Sequence, residues 1–182
     1  MKIENINLRK QQKVLINEYI MLKTENIHNL RAKLLDEFFG KPMLDLDERY
    51  IFPLKSSLIS PNGTCYPGLD RLFITTEGKL GMCEKVNEAI TFGNVKDGIN
   101  ITKVKNIYNE YCNILNKVCL DCWAYRLCSS CFNGSILNGK ISEKRKREDC
   151  RYKKSSVVNS LKRYTKIKMQ NPEAFKTHSI KK

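Results

Sequence analysis

The stretch Cys119-Leu-Asp-Cys122-Trp-Ala-Tyr-Arg-Leu-Cys128-Ser-Ser-Cys131 sets four thiols within thirteen residues, and four more cysteines, at 65, 83, 112 and 150, flank it. A thiolate is a soft ligand, and sets of four suit zinc or iron-sulfur clusters. Two cysteines separated by two residues can serve one centre, because the intervening turn points both sulfurs the same way and leaves its N–H groups free to hydrogen-bond them. Cys119 with Cys122, and Cys128 with Cys131, have that spacing. Only five residues lie between the pairs, whereas zinc ribbons leave about 15 to 20 between their knuckles. The short gap points to interleaved sites, in which neighbouring cysteines serve different centres.

Eight cysteines in 182 residues are too sparse for a small disulfide scaffold. The first ten residues carry no apolar run of the signal-peptide kind, and no stretch of 18 apolar residues occurs. A reducing cytoplasm is therefore expected, with clustered thiols holding metal rather than each other. The net charge of +14 is uneven: residues 140–182 hold 15 Lys and Arg against 4 Asp and Glu, and residues 1–139 hold 18 against 15. Such a tail can bind an acidic partner or nucleic acid, but a solvated helix face accounts for it more simply.

Outward from the cysteines, the chain reads as a small α+β protein: N-terminal helices, a short β-hairpin, a Cys-rich loop and helix region built around two metal clusters, and a basic C-terminal helix. Residues 1–60 are the helical N-terminal region. Leu8, Leu15, Tyr19 and Leu22 share a face over 5–23, and beyond Thr24, a candidate N-cap, Ile27, Leu30, Leu34 and Phe38 share another. Gly40 and Pro42 supply stop signals, and 43–64, with Pro53, Pro61 and Asn62-Gly63, reads as an extended connector. Residues 61–152 form the cluster domain. Leu72–Thr76 and Lys79–Met82 make a hairpin about Glu77-Gly78 that brings Cys65 and Cys83 to one end, and Thr91–Val95 is a further short strand. A helix over 101–116, with Val104, Ile107, Tyr108, Tyr111 and Leu115 on one broad face, delivers the chain to Cys119; Asn133-Gly134 and Asn138-Gly139 mark turns. The core of this part is expected to be sparse. Residues 153–182 are a basic helix, over 153–169, and a tail.

The whole cysteine array resembles the SPASM domain, the C-terminal auxiliary-cluster domain of radical S-adenosylmethionine enzymes that mature peptides and proteins. In that pattern a Cys is followed by a spaced Gly, a second Cys after four residues, then Cys-x2-Cys-x5-Cys-x3-Cys and a last Cys. Here Cys65 is followed after twelve residues by Gly78, then by Cys83; Cys119, Cys122 and Cys128 keep the next spacings, and Cys150 closes the set. Cys65-Tyr-Pro-Gly, Leu72-Phe-Ile-Thr-Thr-Glu-Gly-Lys-Leu and Phe92-Gly-Asn-Val add to a resemblance covering about residues 60–152. Cys128 and Cys131 depart from it, standing two residues apart rather than three.

Carried over by position, the resemblance implies that Cys119, Cys122, Cys128 and Cys150 ligate one [4Fe-4S] cluster and that Cys65, Cys83 and Cys131 supply three ligands of another. No further cysteine lies between Cys65 and Cys83. Either one iron of that cluster is open to a substrate thiolate or another donor, or Cys112 reaches it; burial of Cys112 as a small apolar residue is the simpler account. Trp123 and Tyr125 are expected to pack round a cluster and keep water out. Arg126 either offsets cluster charge or is a surface residue. Gly78 is a turn glycine, and neither His28 nor His178 is given a ligand role.

The Cys-x3-Cys-x2-Cys loop of the family's catalytic barrel is absent, so no S-adenosylmethionine site is expected and the chain by itself should not cleave that cofactor. The implied role is support of a radical maturase by accepting or relaying an electron and positioning the peptide. The implied partners are the catalytic barrel, supplied in trans or by a missing upstream part, and a precursor peptide, with neither membrane nor nucleic acid. The alternative is a cytoplasmic zinc-binding interaction module with four-cysteine sites, binding nucleic acid through its basic tail; a disulfide-stapled secreted domain is third.

Overall fold

The computed structural model describes residues 2–48, 65–86, 88 and 90–175, with side chains from residue 7. Of the connector expected over 43–64, the part over 49–64 with its Asn62-Gly63 turn lies outside the described residues, as does His178 in the tail. The fold is α+β: five α-helices, a four-stranded antiparallel sheet and a two-stranded sheet among the described residues. The chain divides into two compact units, Met1–Pro53 with Val158–Lys182, and Leu54–Val157.

The first unit is helical: α1 (Lys2–Thr24), α2 (Leu30–Phe39), α3 (Lys41–Asp47) and the last part of α5 (Glu143–Gln170). Its core joins Tyr19, Ile20 and Leu22 of α1, Ala32 and Leu35 of α2, Met43 of α3, Ile167 of α5, and Ala174 and Phe175 beyond it. Several boundaries differ from the periodicity. Thr24 closes α1, its hydroxyl donating to the Met21 carbonyl at 2.8 Å, and Asn29 caps α2 by accepting from Ala32 N–H at 2.8 Å. Pro42 falls in the first turn of α3, where a missing N–H costs no helical bond, so it starts a helix inside what reads as a connector. On α2 the expected face is the wrong one: Leu30 and Phe38 are 74% and 76% exposed, while Ala32 and Leu35 are buried.

Polar groups also join this unit. Lys23 and Asp36 pair at 2.5 Å, and Tyr19 donates to the same carboxylate at 3.1 Å. Asp47 accepts from Tyr164 at 2.7 Å and lies 2.9 Å from the Lys168 ammonium. Burial alone would raise the Asp47 pKa, but hydrogen bonds from Lys168 and Tyr164 outweigh it and hold the carboxyl below its usual 3.8. A carboxyl whose pKa is depressed by folding adds stability above its unfolded pKa and loses it as pH falls through the folded value. Asp47→Asn is therefore expected to destabilise the unit by about 1–3 kcal/mol at neutral pH, and the gap from wild type should close in acid below pH ~4. Amide exchange in α3 and the end of α5, followed against pH, checks this; a gap that stays constant would refute it.

The second unit carries the cysteines. β1 (Phe73–Ile74), β2 (Lys79–Gly81), β3 (Thr91–Asn94) and β4 (Gly98–Ile99) pair in sequence order, Phe73 opposite Gly81, Lys79 opposite Asn94 and Gly93 opposite Ile99. Gly78 turns β1 into β2 at φ +76°, and an added Cβ would stand 2.8 Å from a Val95 methyl. β5 (Ile136–Leu137) and β6 (Lys140–Ile141) form a hairpin whose turn residues, Asn138 and Gly139, both have positive φ, as a two-residue mirror-image turn needs.

Behind the four-stranded sheet lies α4 (Ile101–Cys119), three residues longer than the expected 101–116 and capped by Asn100 accepting from Lys103 N–H at 2.9 Å. Its Ile107, Tyr111 and Leu115 join Leu80, Met82, Val86, Ile90, Phe92 and Phe132 in one contiguous core. The core is thus not sparse: short strands conceal it in the sequence, because residues from five separate segments supply it. α5 begins at Glu143, ten residues before the expected 153, and so carries Cys150.

Candidate metal centre

Turns place the cysteines. Cys119 ends α4, and Cys122 N–H returns to the Cys119 carbonyl at 3.1 Å; Tyr125 N–H then bonds the Cys122 carbonyl at 2.9 Å and Cys128 N–H the Tyr125 carbonyl at 3.3 Å. Cys131 opens a further turn, its carbonyl accepting from Gly134 N–H at 3.1 Å, and Cys83 does the same for Val86 N–H. Every cysteine in these runs therefore sits at the edge of a turn.

Seven of the eight cysteines line two cavities in sets of four and three. Cys119, Cys122, Cys128 and Cys150 line one, with Tyr111, Tyr125, Ser130 and Lys146. Cys65, Cys83 and Cys131 line the other, with Tyr66, Arg71, Lys85, Phe132 and Asn133. The Cys128-Ser-Ser-Cys131 segment passes from one cavity to the other, so its two thiols are divided between them. The first cavity is tight, about 30 Å³; the second is about 190 Å³. Tyr111 of the first stacks on Phe132 of the second, ring centroids 4.0 Å apart, and the pair forms an apolar wall between them.

Cys112 lines neither cavity. It is half-buried on α4; burial raises its thiol pKa, against the pull of a hydrogen bond with Tyr108, the ring that stacks on Tyr66 at 5.7 Å. Tyr125 lines the four-cysteine cavity as expected, but Trp123 does not and is 57% exposed. The short turns after Cys122 direct its ring outward. Arg126 lies outside both linings.

Sequence reading missed Lys146, Ser130 and Asp149. Lys146 stands one turn before Cys150 on the same helix face, a signal hidden by starting α5 too late. Its ammonium donates to Ser130 Oγ at 2.6 Å, and the Ser130 hydroxyl donates to Asp149 Oδ2 at 2.9 Å. Burial pushes the Cys119 thiol up to about 11 and raises that of Cys150, with the Lys146 charge opposing both.

The donor chemistry fits a soft metal centre. Among the described residues no His, Asp or Glu lines either cavity, which disfavours hard cations. No group of three or more His, Cys, Asp or Glu among the described residues converges as a single-ion site would; the thiols instead stand round a shared space. Compared with known proteins, the chain matches no family model, no curated protein and no solved structure. No helix among the described residues is long and apolar enough to cross a membrane.

Proposed function

We propose that the chain is an iron-sulfur domain holding two [4Fe-4S] clusters and serving, in the reducing cytoplasm, a radical S-adenosylmethionine enzyme that modifies a peptide. The observation that carries this is the sorting of seven thiols, four to one cavity and three to the other, in the sets that the SPASM resemblance implies. Cys119, Cys122, Cys128 and Cys150 would hold one cluster and Cys65, Cys83 and Cys131 the other. Bound there, such clusters supply one-electron transfer. The chain's own residues would hold them apart across the Tyr111–Phe132 wall and limit water at the tighter site, and a drier site raises the cost of charge change at its centre. Because the Cys-x3-Cys-x2-Cys loop is absent, the catalytic barrel is a partner, in trans or on a longer chain.

The three-cysteine cavity is the roomier one and lacks a fourth thiol, which supports an iron open to a thiolate of the precursor peptide. Arg71 and Lys85 at its lining suit the same peptide's carboxylates. Protein prepared without oxygen should be brown, absorb near ~400 nm and carry about eight iron and about eight sulfide per chain. Colourless protein with stoichiometric zinc would sink the proposal and leave the zinc module. Titration with a small thiol should perturb one cluster's spectrum and spare the other. Cys112→Ser should leave iron content and spectrum unchanged, since Cys112 lines neither cavity; loss of one cluster in that variant, with no thiol response in wild type, would make Cys112 the fourth ligand.

A further inference from the structure

Lys146 is the one lysine or arginine lining the four-cysteine cavity that is withdrawn from water. It is 2% exposed, whereas Lys154 is exposed and Lys153 half-buried. A buried ammonium is strongly unfavourable unless charge or several hydrogen bonds compensate it. Around Lys146 stand a neutral hydroxyl, Ser130 Oγ at 2.6 Å, and the face of the Tyr111 ring, its centroid 5.8 Å from the nitrogen. The Asp149 carboxylate is reached only through the Ser130 hydroxyl. Four thiols at one cavity present the complementary problem: as ligands they are thiolates, and four of them outweigh the charge of the centre they hold.

We propose that Lys146 is the built-in countercharge of the four-cysteine centre, a positioning residue fixed by Ser130 and Asp149, and that it raises that centre's reduction potential. The inference rests on reading these cysteines as metal ligands. Lys146, Asp149 and Cys150 recur at three and four residues on one face of α5, while Ser130 lies in the segment between Cys128 and Cys131. The Lys146–Ser130–Asp149 chain therefore also ties the helix bearing the last ligand to the loop bearing the third. A fixed positive charge stabilises the more negative, reduced state, so its removal makes reduction harder.

The test is a redox titration of the reconstituted full chain, each cluster followed by its own spectrum, for wild type, Lys146→Met and Lys146→Arg. In Lys146→Met the reduced-to-oxidised ratio of one cluster should fall at least about tenfold at fixed potential, equivalent to about 59 mV for one electron. The other cluster should hold its potential, and Lys146→Arg should stay near wild type. Loss of that one cluster in the Met variant but not in the Arg variant also upholds the proposal. Unmoved potentials, equal shifts in both clusters, or loss in both variants would overturn it. Wild type that binds zinc and no iron defeats the proposed function instead. Zinc release to a chelator then decides the role of Lys146: about tenfold faster release from Lys146→Met than from wild type or Lys146→Arg supports the countercharge and overturns the effect on potential, zinc having none, and equal rates reject both.

Discussion

Replacing Cys122 and Cys150 together is expected to cost no more iron than replacing either alone, while replacing Cys122 and Cys83 together should remove nearly all of it. The reason is geometric. Cys122 and Cys150, 28 residues apart in sequence, line one cavity, whereas Cys83 lines the other. Ligands of one centre act as a unit, so a second loss at the same centre adds little, and losses at separate centres add. Iron per chain should fall from about eight to about four in Cys122→Ala, Cys150→Ala and their double variant, and to about zero in Cys122→Ala/Cys83→Ala. The sharpest comparison uses Cys128 and Cys131, neighbours in sequence but divided between cavities: each single change should remove a different cluster spectrum. Identical spectra for these two variants would show that the pair serves one centre.

Stripping the metal is expected to release residues 120–131 while the sheet and α4 persist. The core formed by Leu80, Val86, Phe92, Ile107, Tyr111 and Leu115 is contiguous, so these elements have apolar burial to hold them. The segment from Cys119 to Cys131 has turns and one three-residue 3₁₀ segment, Tyr125–Leu127, but only Cys119, Ala124 and Ser130 buried within it. On the proposed function its order comes from ligation, and binding free energy of a structural metal is folding free energy. Amide protection across 120–131 should drop about a hundredfold or more in the metal-free chain, with Tyr111 and Leu115 of α4 changing far less. Equal protection with and without metal would mean that the turns hold themselves.

How the fold was legible varies by element. Hairpin turns are written in single residues: Gly78 and the Asn138-Gly139 pair adopt positive φ, which few other residues tolerate, so the reversals were readable. α4 was readable because its apolar residues fall on one face and its opposite face is polar. α2 was not, because Leu34, Leu35, Phe38 and Phe39 offer two apolar stripes and periodicity cannot choose between them. Packing against Tyr19, Ile20 and Met43 buries the side that bears Leu35.

The spacing of the thiols by itself determined that sulfur chemistry is concentrated between Cys119 and Cys131, since four thiols within thirteen residues stay near one another whatever surrounds them. Only the tertiary structure decided which thiols share a cavity, that Cys112 lines neither cavity, and that Lys146 is buried beside four of them. Those outcomes join residues from α4, the loop after it and α5, and burial of a charge depends on what the rest of the chain packs around it. Local preference along the chain carries no information about that enclosure; the contiguous core that seats these segments does.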